Sequence, residues 1–154
     1  MLGSITRNPE VAYSVLIPNE RGLERALAGD FEGLTEAVRE RLDGIELTAA
    51  LDEIWRRIKL LNRYVQEEQP WQLSKDDAQA ERLDEVLYTL AEGLRVVSVL
   101  LHPFIPESAA RLLAALGRED LSIDLARFGA VPGGATVGEL GQLFPRVEAE
   151  APAA

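Results

Sequence analysis

No cysteine occurs in the 154 residues, which excludes a disulfide framework and any thiolate-ligated metal site. The single histidine, His102, cannot build a histidine metal cluster and has no evident nucleophile to serve. There is no Gly-rich phosphate loop of the P-loop or dinucleotide type. Gly133-Gly134 is instead a Pro-flanked turn after Val131. No apolar run approaches the roughly 18 residues expected of a membrane-spanning helix. Met1-Leu2-Gly3 opens directly into polar sequence, without an apolar leader. These absences set the expectation of a cytosolic chain with no catalytic apparatus of its own, no metal and no membrane partner.

What is present is apolar enough to fold. Hydrophobic residues make up 47% of the chain, and the length leaves room for one domain with a real core. The formal net charge is −10, whereas a protein that coats nucleic acid through general electrostatics is basic. DNA is therefore not an expected partner, and any RNA contact must be a local patch.

Periodicity predicts an all-α chain. Residues 1–8 read as part of a helix whose beginning is missing, and Pro9 and Pro18 bracket an irregular connector. Glu20 to Leu27 reads as a short helical turn. Asp30 is the expected cap of a helix from Phe31 to about Leu42, with Phe31, Leu34, Val38 and Leu42 in its stripe and Gly44 as its stop. A second helix carries Leu47, Leu51, Ile54, Ile58, Leu61 and Val65 on one face and runs to about Glu68, where Pro70 drives its predecessor out of helical geometry. Trp55 reads as core. Ser74, three residues before Asp77, reads as the cap of a third helix whose stripe is Leu83, Leu87, Leu90, Leu94, Val97 and Leu101. A fourth begins at Pro106 and closes at Gly117. The expected organisation is a helical bundle over 1–117, a strap over 118–146 anchored by Leu121-Ser122-Ile123 and Leu143-Phe144, and a disordered tail over 147–154. Glu92 and Arg95 read as a buried ion pair, with Arg111 and Arg118 solvated.

One helix face stands out. Arg56, Lys59 and Arg63 are spaced three and four apart and project together. Residues 54–66 hold four basic residues and no acidic one within a chain of net charge −10. Such a strip is either a solvated face or a set of phosphate contacts that position an RNA backbone. It ends at Asn62-Arg63-Tyr64, followed by the corner Pro70-Trp71. Trp71 is either a plug between helices or an aromatic plate for an unpaired base.

Ala50-Leu51-Asp52-Glu53-Ile54-Trp55, Leu61-Asn62-Arg63-Tyr64-Val65 and Pro70-Trp71 with Lys75 resemble the anticodon-binding domain of methionyl-tRNA synthetases. The likeness continues through Leu87, Leu90, Glu92-Gly93-Leu94-Arg95, Leu100-Leu101, Pro103, Pro106 and Leu116-Gly117 to Leu143-Phe144-Pro145-Arg146. The resemblance implies a helical bundle of the class I aminoacyl-tRNA synthetase anticodon-binding type. It implies that Trp71 lies against the anticodon of a methionine tRNA, and that Arg7 matches an arginine that reads it. Gly3 stands where that arginine's asparagine partner is expected, and the alternative register places Ser4 and Asn8 there. Arg56, Lys59, Arg63 and Lys75 become candidates for the tRNA backbone, with Asn62, Tyr64 and Pro70 as supports of the corner. ATP and methionine would bind a catalytic domain that this chain lacks, so no cofactor is expected here. The expectation is thus a C-terminal piece of a longer enzyme, partnered by that missing or separate domain. Two other readings stand beside it: a helical docking module without tRNA recognition, or the anticodon domain of a sibling synthetase.

Overall fold

A computed structural model describes residues 27 and 29–145, all helix, turn and irregular chain with no strand among them. Its main helices are α1 (Leu34–Asp43), α2 (Leu47–Glu68), the single turn α3 (Pro70–Leu73), α4 (Ala80–Leu101) and α5 (Pro106–Ala115). Short 3₁₀ turns at Asp77–Gln79 and Ile123–Leu125 punctuate the connections. The helical readings of residues 1–26 and the tail beyond 145 lie outside the described residues.

Glycine and proline set the ends. Residues 27 and 29–31 are helical, and the chain restarts at Leu34 after Gly33 takes φ 72. A left-handed residue cannot sit inside a helix, so Asp30 is not the cap that the sequence predicts. Phe31 and Leu34 remain buried on the same side. At the far end of α2, Gln69 adopts φ 46 and ψ 60 and donates its N–H to the Val65 carbonyl, leaving the right-handed helical geometry that the following proline disfavours. The cap before α4 is Asp76, whose carboxylate accepts from the Ala78 N–H at 3.0 Å. Ser74 instead donates to the Trp71 carbonyl at 3.2 Å.

The core runs through α1, α2, α4 and α5 and includes Leu34, Val38, Ile54, Leu61, Tyr64, Val86, Val96, Leu100 and Leu113. On α2 the buried line is Ala50, Ile54, Leu61 and Tyr64, while Leu47 and Trp55 are exposed. Each helical residue turns about 100°, so Trp55 lies on the far side of Ile54 from Ala50 and Tyr64. On α4 the buried arc is similarly rotated. Val86, Gly93, Val96 and Leu100 face inward, and Leu87 and Leu94 are turned to solvent.

Gly93 lets α2 and α4 approach, because a Cβ there would come within 2.5 Å of a Leu61 methyl. Gly93→Val is expected to cost about 2–3 kcal/mol through overpacking. The measurement is the urea midpoint, and adding Leu61→Ala should recover part of the loss. An unchanged midpoint would mean that the two helices do not touch at Gly93.

The strap lies along α4 and α5. Arg95 and Glu92 are buried and pair through two contacts of 2.7 and 2.8 Å. Arg95 also donates to the Leu125 and Arg127 carbonyls, and Glu92 accepts from the Gly129 N–H. Phe128 packs on Phe31 with ring centroids 5.4 Å apart, and Thr35 donates to the Ala126 carbonyl. The anchors are therefore Ile123, as expected, with Ala126 and Phe128. Leu121 and Phe144, expected in that role, are exposed. Arg118 is not simply solvated: it donates to the Pro132 carbonyl at 2.5 Å, and Arg111 reaches the Gln142 carbonyl at 3.1 Å. Gly117 takes φ 68, and a Cβ there would meet the Thr136 carbonyl oxygen at 2.8 Å, so the turn into the strap requires glycine.

Candidate nucleic-acid interface

The corner after α2 is built from below. Tyr64 is buried at 1% exposure and gives α2 a fixed face in its last turns. Glu68 and Arg82, both largely buried, pair at 2.6 Å and tie the end of α2 to the first turn of α4. Arg82 also reaches Glu85 at 3.2 Å. Between these anchored ends the chain makes its left-handed step at Gln69. Pro70 then opens α3 at a position where its missing N–H costs nothing. The result is that Trp71 stands on α3 with 45% of its surface exposed. The Lys75 ammonium lies one turn on and donates to Gln72 Oε1 at 2.9 Å.

The α2 face leading to this corner is cationic and open. Arg63 pairs with Glu67 at 2.7 Å and Arg56 with Glu53 at 3.2 Å, with the arginine side chains 70% and 64% exposed. Pairs this exposed contribute at most about 1 kcal/mol, so both guanidinium groups can exchange a carboxylate for a phosphate at small cost. Lys59 is exposed between them and makes no ion pair among the described residues. The fourth cation of the run belongs elsewhere. Arg57 is half-buried, donating to the Asp30 carbonyl at 2.8 Å and pairing with Glu53 at 2.6 Å.

Arg56, Lys59 and Arg63 thus share one face of α2, and that helix ends at the corner that carries Trp71 and, one turn on, Lys75. Of the expected supports, Tyr64 is buried, Pro70 half-buried and Asn62 exposed beside Arg63. Arg7 lies outside the described residues. Two features escaped the sequence reading. The Glu68–Arg82 bracket spans a turn, where no helical spacing rule flags it. Trp55 faces the same side as Lys59, which a stripe centred one position differently would have revealed.

Chemistry of other kinds is not assembled here. No group of three or more His, Asp or Glu side chains that could hold a metal occurs among the described residues. An apolar cleft of about 540 Å³ opens between α4 and the strap, lined by Leu87, Tyr88, Leu116, Pro132 and Val137. Glu92 and Arg95, a buried ion pair at its wall, are committed to the strap. Among the described residues no helix is long and apolar enough to cross a membrane.

Known proteins are similar to this chain in sequence and in fold. Residues 18–153 match a family model described as the anticodon binding domain of methionyl tRNA ligase. The methionine–tRNA ligase of Caldanaerobacter subterraneus is 34% identical over 134 residues, which cover 86% of this chain and 21% of that protein. That of Streptomyces coelicolor is 41% identical over 137 residues, covering 80% of this chain and 25% of the relative. The free-state crystal structure of Mycobacterium tuberculosis methionyl-tRNA synthetase matches with a TM-score of 0.72 and 31% identity, over 83% of this chain and 26% of that one. The chain spans 21% and 25% of the length of the two ligases it matches.

Proposed function

The chain belongs to the methionyl-tRNA ligase anticodon-binding domain family, and from that premise we propose that its α2 face and Trp71 corner hold the anticodon arm of a methionine tRNA. The observation that carries this is the exposure of Trp71 on a braced corner at the end of a cationic strip. An anticodon loop offers splayed bases, and an exposed indole stacks on any of them for roughly 1–3 kcal/mol each. Arg56, Lys59, Arg63 and Lys75 supply the backbone contacts, in a chain otherwise acidic enough to repel RNA. Stacking tolerates any base, so discrimination has to come from hydrogen bonds to base edges. We assign that task to Arg7 and to backbone groups at the Pro70-Trp71 corner.

No catalytic role is assigned to this chain. ATP and methionine belong, in this reading, to a catalytic domain outside it, which is its second partner, and the site of action is the cytosol. A docking module that had lost tRNA recognition would have its tryptophan sealed between helices and no open face beside Arg63. Trp71 and Arg63 are instead both exposed.

Titration of the full chain with two labelled RNA hairpins tests the proposal. One carries the methionine tRNA anticodon loop, the other the same stem with a scrambled loop. Tighter binding of the first is expected. Equal affinities would remove anticodon recognition and leave only charge, and tighter binding of another tRNA's loop would move the chain to a sibling synthetase.

A further inference from the structure

The indole of Trp55 is half exposed, with Leu51 and Ile58 beside it towards the core and Asp52 and Lys59 beside it towards solvent. Trp55, Lys59, Asn62 and Gln66 recur at steps of four, three and four, so they form one line along α2. All four are exposed. Arg56 and Arg63 flank the line, and it leads to the Trp71 corner.

We propose that Trp55, Lys59 and Asn62 form a second RNA contact, on the double-helical stem beneath the loop held at Trp71. The inference rests on the anticodon-arm reading of that corner. Distance assigns the partner. From Trp55 to the end of α2 at Glu68 the helix rises roughly 20 Å at about 1.5 Å per residue. That length spans several base pairs of an A-form RNA stem. A molecule whose unpaired bases lie on Trp71 and whose stem follows α2 has paired residues opposite Trp55. Paired bases are stacked on one another and closed to an inserted ring, so the contact is with ribose and phosphate. The groups present suit it. An indole offers a flat apolar body and one N–H donor, the Lys59 ammonium offers charge, and the Asn62 amide can donate to a phosphate or accept from a 2′-hydroxyl. Lys59, which makes no ion pair among the described residues, and continuity with the corner favour RNA over a protein partner on this face.

The test uses the full chain and two RNAs: the anticodon loop on its complete stem, and the same loop on a stem shortened to its closing pairs. Trp55→Ala is expected to weaken binding of the complete hairpin about tenfold, the size of one hydrogen bond to a charged group, and to leave the shortened hairpin unaffected. Trp71→Ala weakens both. In Trp71→Phe, the remaining emission from Trp55 should respond to the complete hairpin only. Undiminished affinity of Trp55→Ala for the complete hairpin overturns the inference and leaves this face to another partner. Equal weakening of both RNAs also overturns it, by placing Trp55 at the loop. If Trp71→Ala changes neither affinity, the corner reading itself fails, whatever Trp55 does. Retained binding of the shortened hairpin shows that Trp55→Ala is folded.

Discussion

Arg95→Leu will destabilise the fold by about 3–5 kcal/mol, the cost typical of breaking a buried ion pair from one side. Arg95 is 4% exposed and Glu92 3%. Removing the guanidinium leaves the Glu92 carboxylate with one remaining partner, the Gly129 N–H. It also strips the Leu125 and Arg127 carbonyls of the donors that Arg95 gives them. For a chain of this size the loss corresponds to a melting temperature lower by roughly 10 °C. The strap should be affected first, since those carbonyls lie in it. Hydrogen exchange of residues 123–131 therefore ought to rise before that of α2. Adding Glu92→Leu should restore part of the stability, because it removes the stranded charge while leaving the strap unclamped. A melting point within two or three degrees of wild type would show that the pair is dispensable and that Phe128 on Phe31 holds the strap alone.

The same pair shows how far the chain could be read without coordinates. Its i, i+3 spacing on an apolar helix announces a buried salt bridge. Nothing in that spacing announces that both partners also grip the strap, because Leu125, Arg127 and Gly129 lie thirty or more residues away along the chain. Helix ends were legible for a related reason: Pro70, Pro106 and Gly117 act locally, through their own dihedral preferences. Which arc of a helix is buried is not a local property. Leu87 and Leu94 sit in a good apolar stripe, yet α2, α5 and the strap cover a neighbouring arc of α4 that admits Thr89, Glu92 and Arg95. Trp55 was misread in the same way. The corner was half legible. Pro70-Trp71 marks a break with an aromatic beside it, but only the Glu68–Arg82 bracket and the buried Tyr64 turn the tryptophan outward.

Trp71→Ala carries the largest functional effect expected of this chain. Stacking of one or two bases is worth roughly 1–3 kcal/mol each, so affinity for the anticodon hairpin should fall about 10- to 100-fold. Trp71 is 45% exposed and α3 has no buried residue, so the substitution should leave the melting curve nearly unchanged. Trp71→Phe, which keeps a smaller ring, should fall between wild type and alanine. The salt dependence separates this effect from that of the cations. An indole releases no counterion, so Trp71→Ala should lower the line of log affinity against log salt without altering its slope. Lys59→Gln should make that line shallower by about one phosphate's share, roughly 0.7–0.9. A slope that changes with Trp71 would mean that the corner is needed to bring the strip onto the backbone at all. Unchanged affinity of Trp71→Ala would leave the exposed tryptophan without a role in RNA binding and remove the observation on which the anticodon assignment stands.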